Sequence, residues 1–294
     1  MADEHVVAEP RRRSVQCISP KGLHRMAYLE WGDPRNRDVL VCVHGLTRVG
    51  RDFDPLARAL CGQFRVVCPD VAGRGDSDRL PDPMLYGTPQ YVSDMVALIA
   101  RLDVESVSWV GTSMGGLIGM ALAAQKGTPI KRFVINDIGP VVAHGALERI
   151  GSYLGKAPDF PTLESAVAYL RDVAAPFGKH SDAEWRFLTE IWVRKTPEGK
   201  LRAHYDPRLA EPFHAGMPKG DMEIWPLYDA IRCPTLVIRG ANSDLLAKKT
   251  VQEMAQRGPK AKAVEIPDVG HAPTLMHADQ IAIVRDFLVE GINT

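Results

Sequence analysis

Hydrophobic positions along the chain fall into two alternating kinds of segment. Asp38–His44 (DVLVCVH), Phe64–Pro69 (FRVVCP), Val107–Gly111 (VSWVG), Lys131–Asp137 (KRFVIND), Pro234–Gly240 (PTLVIRG) and Ala263–Pro267 are short and rich in apolar, β-branched residues. Such runs predict strands buried on both faces. Between them lie segments with helical spacing or small helix-forming residues: Phe53–Leu60, Tyr91–Leu102, Met114–Gln125, Lys248–Gln256 and Asp279–Leu288. Thr88 is the expected N-cap of the second of these. Strands alternating with helices predict an α/β fold, a parallel sheet covered on both faces. Ahead of the first long strand, Val15–Trp31 reads as two strands around Pro20-Lys21-Gly22, an antiparallel edge to that sheet.

The alternation stops after Asp137. From Gly139 to about Ala230 there is no buried-strand run. Amphipathic helical stretches such as Leu163–Val173 and Trp185–Val193 are separated there by proline, glycine and aromatic residues. This pattern predicts a helical insertion, residues 139–230, packed as a cap over a core made of 1–138 and 231–294. Open α/β sheets bind ligands at the carboxyl ends of their strands, so the cap is expected to cover that edge.

Composition narrows the class. Lys plus Arg total 36 and Asp plus Glu total 36, so the formal net charge is zero. That balance offers no attraction to nucleic acid or an anionic membrane. Arg11-Arg12-Arg13, the one basic cluster near a terminus, reads as a solvated, frayed arm. The five cysteines (Cys17, Cys42, Cys61, Cys68, Cys233) are odd in number and mostly sit in apolar runs. Free thiols in a reducing compartment are expected, with neither a disulfide framework nor a metal site. The first thirty residues hold no signal-like apolar stretch, and no apolar run approaches the length of a membrane span. A soluble cytoplasmic protein, a monomer or homodimer, is the expectation.

The segment that carries chemistry is Gly111-Thr112-Ser113-Met114-Gly115-Gly116. G-x-S-x-G alone is a weak pattern, but here it follows a strand and opens a helix, the context of a nucleophile elbow. Ser113 is the expected nucleophile, with the helix N-terminus behind it favouring a developing negative charge. A serine hydroxyl needs a base. Of nine histidines, His271 lies in DVGHAP between the last strand and the last helix, at the same sheet edge as Ser113. His44 ends the first long strand near that edge and reads better as a hydrogen-bonded structural histidine beside Gly45. His144, His204 and His214 fall in the insertion. His5, His24, His180 and His277 have no supporting context.

The base must be held by a carboxylate. Asp244, in GANSD after the strand TLVIRG, gives the chain order Ser, Asp, His. Asp137 competes, because it also ends a core strand at that edge, and Asp268 is expected to face away from His271. Asp244 is the favoured acid. The oxyanion donors are expected to be the backbone N–H groups of Met114 and of Leu46, in the loop His44-Gly45-Leu46-Thr47.

HGLT, DVAGRGDSD, GTSMGG, GANSD and VGHAP stand in the order and spacing of the α/β-hydrolase superfamily, which this chain resembles nearly throughout except in the insertion. The resemblance is to the capped bacterial group of carboxylesterases, polyester depolymerase-like enzymes, cofactor-free haloperoxidases and meta-cleavage-product hydrolases. It implies an α/β-hydrolase fold, a mostly parallel eight-stranded sheet with a helical cap. It also implies a Ser113–His271–Asp244 triad, an oxyanion hole at Leu46 and Met114, and no cofactor or metal. Thr112 and Ala272 depart from the Asn and Trp typical of meta-cleavage hydrolases, and Ser113 from the Asp of dehalogenases. Hydrolysis of a small carboxylic ester through an acyl-enzyme on Ser113 is therefore the leading expectation. A C–C bond hydrolase and a non-catalytic ligand receptor on the same fold are the alternatives. His44, Thr47 and Trp225 are expected at the substrate pocket. Trp185, Trp192, Phe213, Met217 and Tyr228 in the cap are consistent with either an apolar pocket or cap packing.

Overall fold

The structure is a computed structural model that describes residues 9–290. Its centre is an eight-stranded sheet formed by β1 (Arg11–Ser19), β2 (Gly22–Trp31), β3 (Val39–Val43), β4 (Arg65–Pro69), β5 (Val107–Thr112), β6 (Ile130–Asn136), β7 (Thr235–Gly240) and β8 (Lys262–Ile266). The spatial order is β1-β2-β4-β3-β5-β6-β7-β8. β1 and β2 pair antiparallel, β2 joins β4 antiparallel, and every later pairing is parallel.

Alternation along each strand divides the core in two. In β3, Val39, Val41 and Val43 face one hydrophobic cluster, while Leu40 and Cys42 face the other. α2 (Thr88–Arg101) and α3 (Met114–Ala123) cover the first face. α1 (Asp54–Leu60) and α10 (Ala278–Val289) cover the second through Leu56, Leu60, Val284 and Phe287, and α9 (Lys248–Met254) links β7 to β8. Both faces being covered is why these strands read as continuous apolar runs.

The N-terminal arginines differ from the expected frayed arm: they are the first three residues of β1. Glu30 on the partner strand is 2% exposed and receives Arg11, Arg13 and Arg65. Three guanidiniums around one buried carboxylate hold the strand in the sheet. Thr88 is likewise inside α2, whose N-cap is Gly87, with Pro89 in the first turn. Proline has no N–H to satisfy there, so the helix can start one residue early.

Between β6 and β7 the chain runs through α4 (His144–Tyr153), α5 (Leu163–Val173), α6 (Asp182–Glu190), α7 (Ala210–Ala215) and α8 (Trp225–Ala230). Short two-stranded ribbons (Val193–Lys195 with Leu201–Ala203, Val141–Val142 with Met222–Glu223) connect them. α5 and α6 start with capping boxes, Thr162 with Ser165 and Ser181 with Glu184, which accounts for helices in a segment of modest apolar content. Main-chain bonds tie this segment to the core loops at the carboxyl edge. Asp206 N–H donates to Gly73 C=O (2.7 Å), Gly75 N–H to His204 C=O (2.8 Å) and Gly270 N–H to Pro176 C=O (2.6 Å).

Candidate active site

Ser113 sits between the end of β5 and the start of α3, with φ 52° and ψ −114°. A side-chain-bearing residue rarely adopts that region, and the local sequence makes it possible. A Cβ on Gly111 would strike the Gly115 carbonyl, and one on Gly115 would strike the Val43 carbonyl, so both positions require glycine. The turn ties itself to β6: Ser113 N–H donates to Asn136 C=O at 3.0 Å.

His271 lies after β8 on the loop before α10. Its Nε2 is 2.9 Å from Ser113 Oγ and its Nδ1 is 2.8 Å from a carboxylate oxygen. That carboxylate belongs to Asp137, not Asp244. Asp137 directly follows β6, is fully buried, and has φ 54°. Its Oδ1 accepts the Gly240 N–H (2.7 Å), and its Oδ2 accepts Ser243 Oγ–H (2.7 Å) as well as His271 Nδ1–H. A buried carboxylate is tolerable only when its lone pairs are matched, and here three donors match them.

The expectation for Asp244 is therefore corrected. Its loop does reach the site, but through Gly240 and Ser243. The next side chain turns outward, where Asp244 is about half exposed and pairs with Arg149 of α4 at 2.7 and 3.0 Å. Ser243 Oγ also accepts the Leu245 and Leu246 N–H groups, and this turn sends Ser243 inward and Asp244 to solvent. Asp268 is exposed, and the carboxylate that meets His271 is that of Asp137.

Asn136 is a residue the sequence reading missed. It is fully buried, and its Nδ2 donates to Thr112 Oγ1 (2.9 Å) and Pro273 C=O (2.8 Å), joining the serine turn to the histidine loop. The available signal was an amide side chain directly after the buried apolar run Phe133–Ile135.

The loop His44–Thr47 lies against the nucleophile: a Cβ on Gly45 would be 3.7 Å from Ser113 Cβ. The Leu46 N–H has no acceptor among the described residues. Met114 opens α3, and the first turn of a helix leaves its N–H groups without an intrahelical acceptor. Arg74, 1% exposed, braces both residues, donating Nε to Leu46 C=O (2.9 Å) and contacting Met114 Sδ (3.2 Å).

A cavity opens over Ser113 and His271. His44 and Thr47 lie in its wall, together with Arg48, Asp52 and Thr112. His44 has no free donor to offer, since Nδ1–H donates to Gly45 C=O (2.7 Å) and Nε2 accepts the Val71 N–H (3.0 Å). Complete burial pushes its pKa down to about 3, and the neighbouring Arg74 and Arg48 act in the same direction. From the inserted segment come Arg149, Ile150, Tyr153, Leu170, Phe177 and Trp192, a mainly apolar and aromatic roof.

Trp225 is not among them, which corrects that expectation. α8 leads back into β7, and Trp225 packs edge-on against Tyr228 with the Arg257 guanidinium 4.1 Å above its ring. Trp185, Phe213, Met217 and Tyr228 are also outside the cavity wall, so Trp192 alone of the aromatic and methionine residues expected there reaches it. Among the histidines without a role, His24 pairs with buried Asp94 and His180 bonds Thr274; His5 lies outside the described residues.

Residues 40–284 match the Alpha/beta hydrolase family. The chain belongs to it. It is 55% identical, over 95% of its length and 98% of the relative's, to the 3-hydroxybutyrate-oligomer hydrolase of Cupriavidus necator. It is 29% identical to the pimeloyl-[acyl-carrier protein] methyl ester esterase of Stenotrophomonas maltophilia, over 86% of this chain and 93% of that one. Among solved structures, an α/β hydrolase from Novosphingobium aromaticivorans superposes with a TM-score of 0.84 at 38% identity, covering 96% and 98% of the two chains. No helix among the described residues is long and apolar enough to cross a membrane.

Proposed function

We propose that this carboxylic ester hydrolase works through an acyl-enzyme on Ser113, with His271 as base and acid and Asp137 as the carboxylate that orients it. The observation that carries the reading is the continuous contact Ser113 Oγ–His271 Nε2–His271 Nδ1–Asp137 Oδ2, at 2.9 and 2.8 Å. With Nδ1–H donated to Asp137, Nε2 is left as the acceptor for the serine proton.

His271 removes that proton as Oγ attacks the ester carbonyl. The carbonyl electron pair moves onto oxygen, which the N–H groups of Leu46 and Met114 receive. The imidazolium formed faces the Asp137 carboxylate. The tetrahedral intermediate collapses, the alcohol leaves with the proton from Nε2, and the acyl group stays on Ser113. Water then repeats the sequence, with His271 as its base, and releases the acid. Residues 139–230 act in this reading as a lid whose apolar side chains hold the acyl and alcohol portions. Short oligomers of a 3-hydroxy acid are the proposed substrates, on the strength of the 55% identity to the Cupriavidus enzyme. A cytoplasmic location and a monomeric or homodimeric state complete the reading; the free cysteines agree with the former.

A fluorophosphonate probe tests the nucleophile. Labelling of the wild type that is abolished in Ser113→Ala is the expected result, together with release of 3-hydroxybutyrate from its dimer. Labelling that persists in Ser113→Ala sinks the assignment.

A further inference from the structure

The cavity over Ser113 contains two arginines, and they are not equivalent. Arg48 is buried, with Nε and Nη2 held by Asp52 at 2.9 and 2.6 Å and Nη2 also donating to Leu188 C=O. These bonds fix it in the wall, and only its buried Nη1 is left without a partner among the described residues. Arg149 lies in the same wall, yet it is more than a third exposed, and its acidic partner is Asp244, itself about half exposed. Asp244 is not in the cavity wall. The pair is a two-point fork, Nε to Oδ2 at 2.7 Å and Nη2 to Oδ1 at 3.0 Å, the geometry in which a guanidinium takes any carboxylate. Exposed pairs of this kind contribute little stability, so another carboxylate can replace Asp244 at small cost. Ile150 and Tyr153 follow Arg149 on α4 and line the same cavity as Phe177, Leu170 and Trp192, largely apolar side chains against which an aliphatic ester chain can lie.

We propose that Arg149 is the subsite for the free carboxylate of the substrate, which displaces Asp244 from the guanidinium on binding. This rests on the proposed hydrolysis of oligoesters. Each hydroxy-acid oligomer ends in one carboxylate, on the alcohol side of its last ester bond. Holding that carboxylate at the cavity wall makes the enzyme select short, acid-ended chains and release the terminal hydroxy acid as the leaving alcohol. Asp244 serves as the placeholder that keeps the fork oriented in the free enzyme.

Steady-state kinetics on the 3-hydroxybutyrate dimer and on its terminal carboxamide, with nitrophenyl butyrate as a neutral control, test this. In the wild type the acid is expected to have a KM at least tenfold below that of the carboxamide. Arg149→Gln should raise KM for the acid at least tenfold and leave kcat, the carboxamide and the control within about twofold. Asp244→Asn should leave KM for the acid unchanged or lower. Were Arg149 and Asp244 merely a latch between lid and core, the two variants would behave alike on all three substrates, and that result overturns the proposal. Equal KM values for acid and carboxamide in the wild type overturn it too. Absence of turnover on every ester would instead overturn the proposed function.

Discussion

Asp137 and Asp244 follow two adjacent parallel strands and come within one loop of each other, yet they occupy opposite environments. Behind His271, Asp137 is sealed from water and matched by Gly240 N–H, Ser243 Oγ–H and His271 Nδ1–H. Asp244 is half in solvent with one arginine from the insertion. His44 resembles Asp137 in this: it too is buried, with both ring nitrogens occupied. The difference teaches that the same charge is fixed in one place and exchangeable in the other. In water an ion pair competes with hydration, whereas in the interior an unmatched group has no alternative partner.

The comparison breaks most readily at the acid. Asp137→Asn should lower kcat on a nitrophenyl ester roughly 10³–10⁴-fold, because an amide fails to hold the histidine in the working tautomer. Asp244→Asn should change kcat on that neutral ester less than about threefold. The reverse pattern would move the acid to the loop after β7.

A second test concerns His44 and pH. Its pKa is held at about 3 by burial, against an ordinary value of 6.5. The unfolded chain therefore takes up a proton below pH 6.5 that the folded chain refuses until about pH 3. The contribution of His44 to stability is full above pH 6.5 and is lost as the pH falls through that window. Buried Asp70, raised to about 6 by burial, acts in the opposite sense between its ordinary 3.8 and that value, so a difference measurement isolates the histidine. The stability gap between wild type and His44→Gln should shift by roughly 3 kcal/mol between pH 7.5 and pH 4.5. Urea titrations at the two pH values measure it. A gap that stays constant would mean that the ring titrates equally in both states.

Ser243 is where the two environments meet, and it sharpens the contrast. Ser243→Ala removes one donor to Asp137 and the acceptor for Leu245 and Leu246. About tenfold lower kcat is expected, with about 1–2 kcal/mol lower stability. An activity loss comparable with that of Asp137→Asn would show that the serine, rather than the carboxylate, orients the histidine.

The smallest effect belongs to the exposed pair. Asp244→Asn should alter unfolding free energy by less than about 1 kcal/mol in urea, and less still at high salt. A larger loss would mean that the fork holds the lid on the core.

The fold was legible because its signals are local. Runs such as VLVCVHG and FRVVCP can be buried only with both faces covered, and their alternation with helices leaves few arrangements besides a parallel sheet. Ser113 and His271 were legible for the same reason: the glycines at 111 and 115 and the position of VGHAP between strand and helix are one-dimensional facts. Arg11–Arg13 misled because a basic run near a terminus resembles a solvated arm. Only the fold brings Glu30 across from it. Trp225 misled because its place in the inserted segment says nothing about whether α8 reaches the cavity, and no residue of α8 lines it.

What the sequence determined by itself was the sheet, the elbow serine, the histidine and the edge at which they meet. Backbone propensity and hydrophobic period act between neighbours in the chain, and those features depend on little else. Which carboxylate completes the site was decided by tertiary structure alone. Asp137 and Asp244 both follow a strand at the same edge, and no periodicity separates them. The turn that buries Ser243 and exposes Asp244 does, because it leaves room beside His271 for one carboxylate, and its donors meet the one that follows β6.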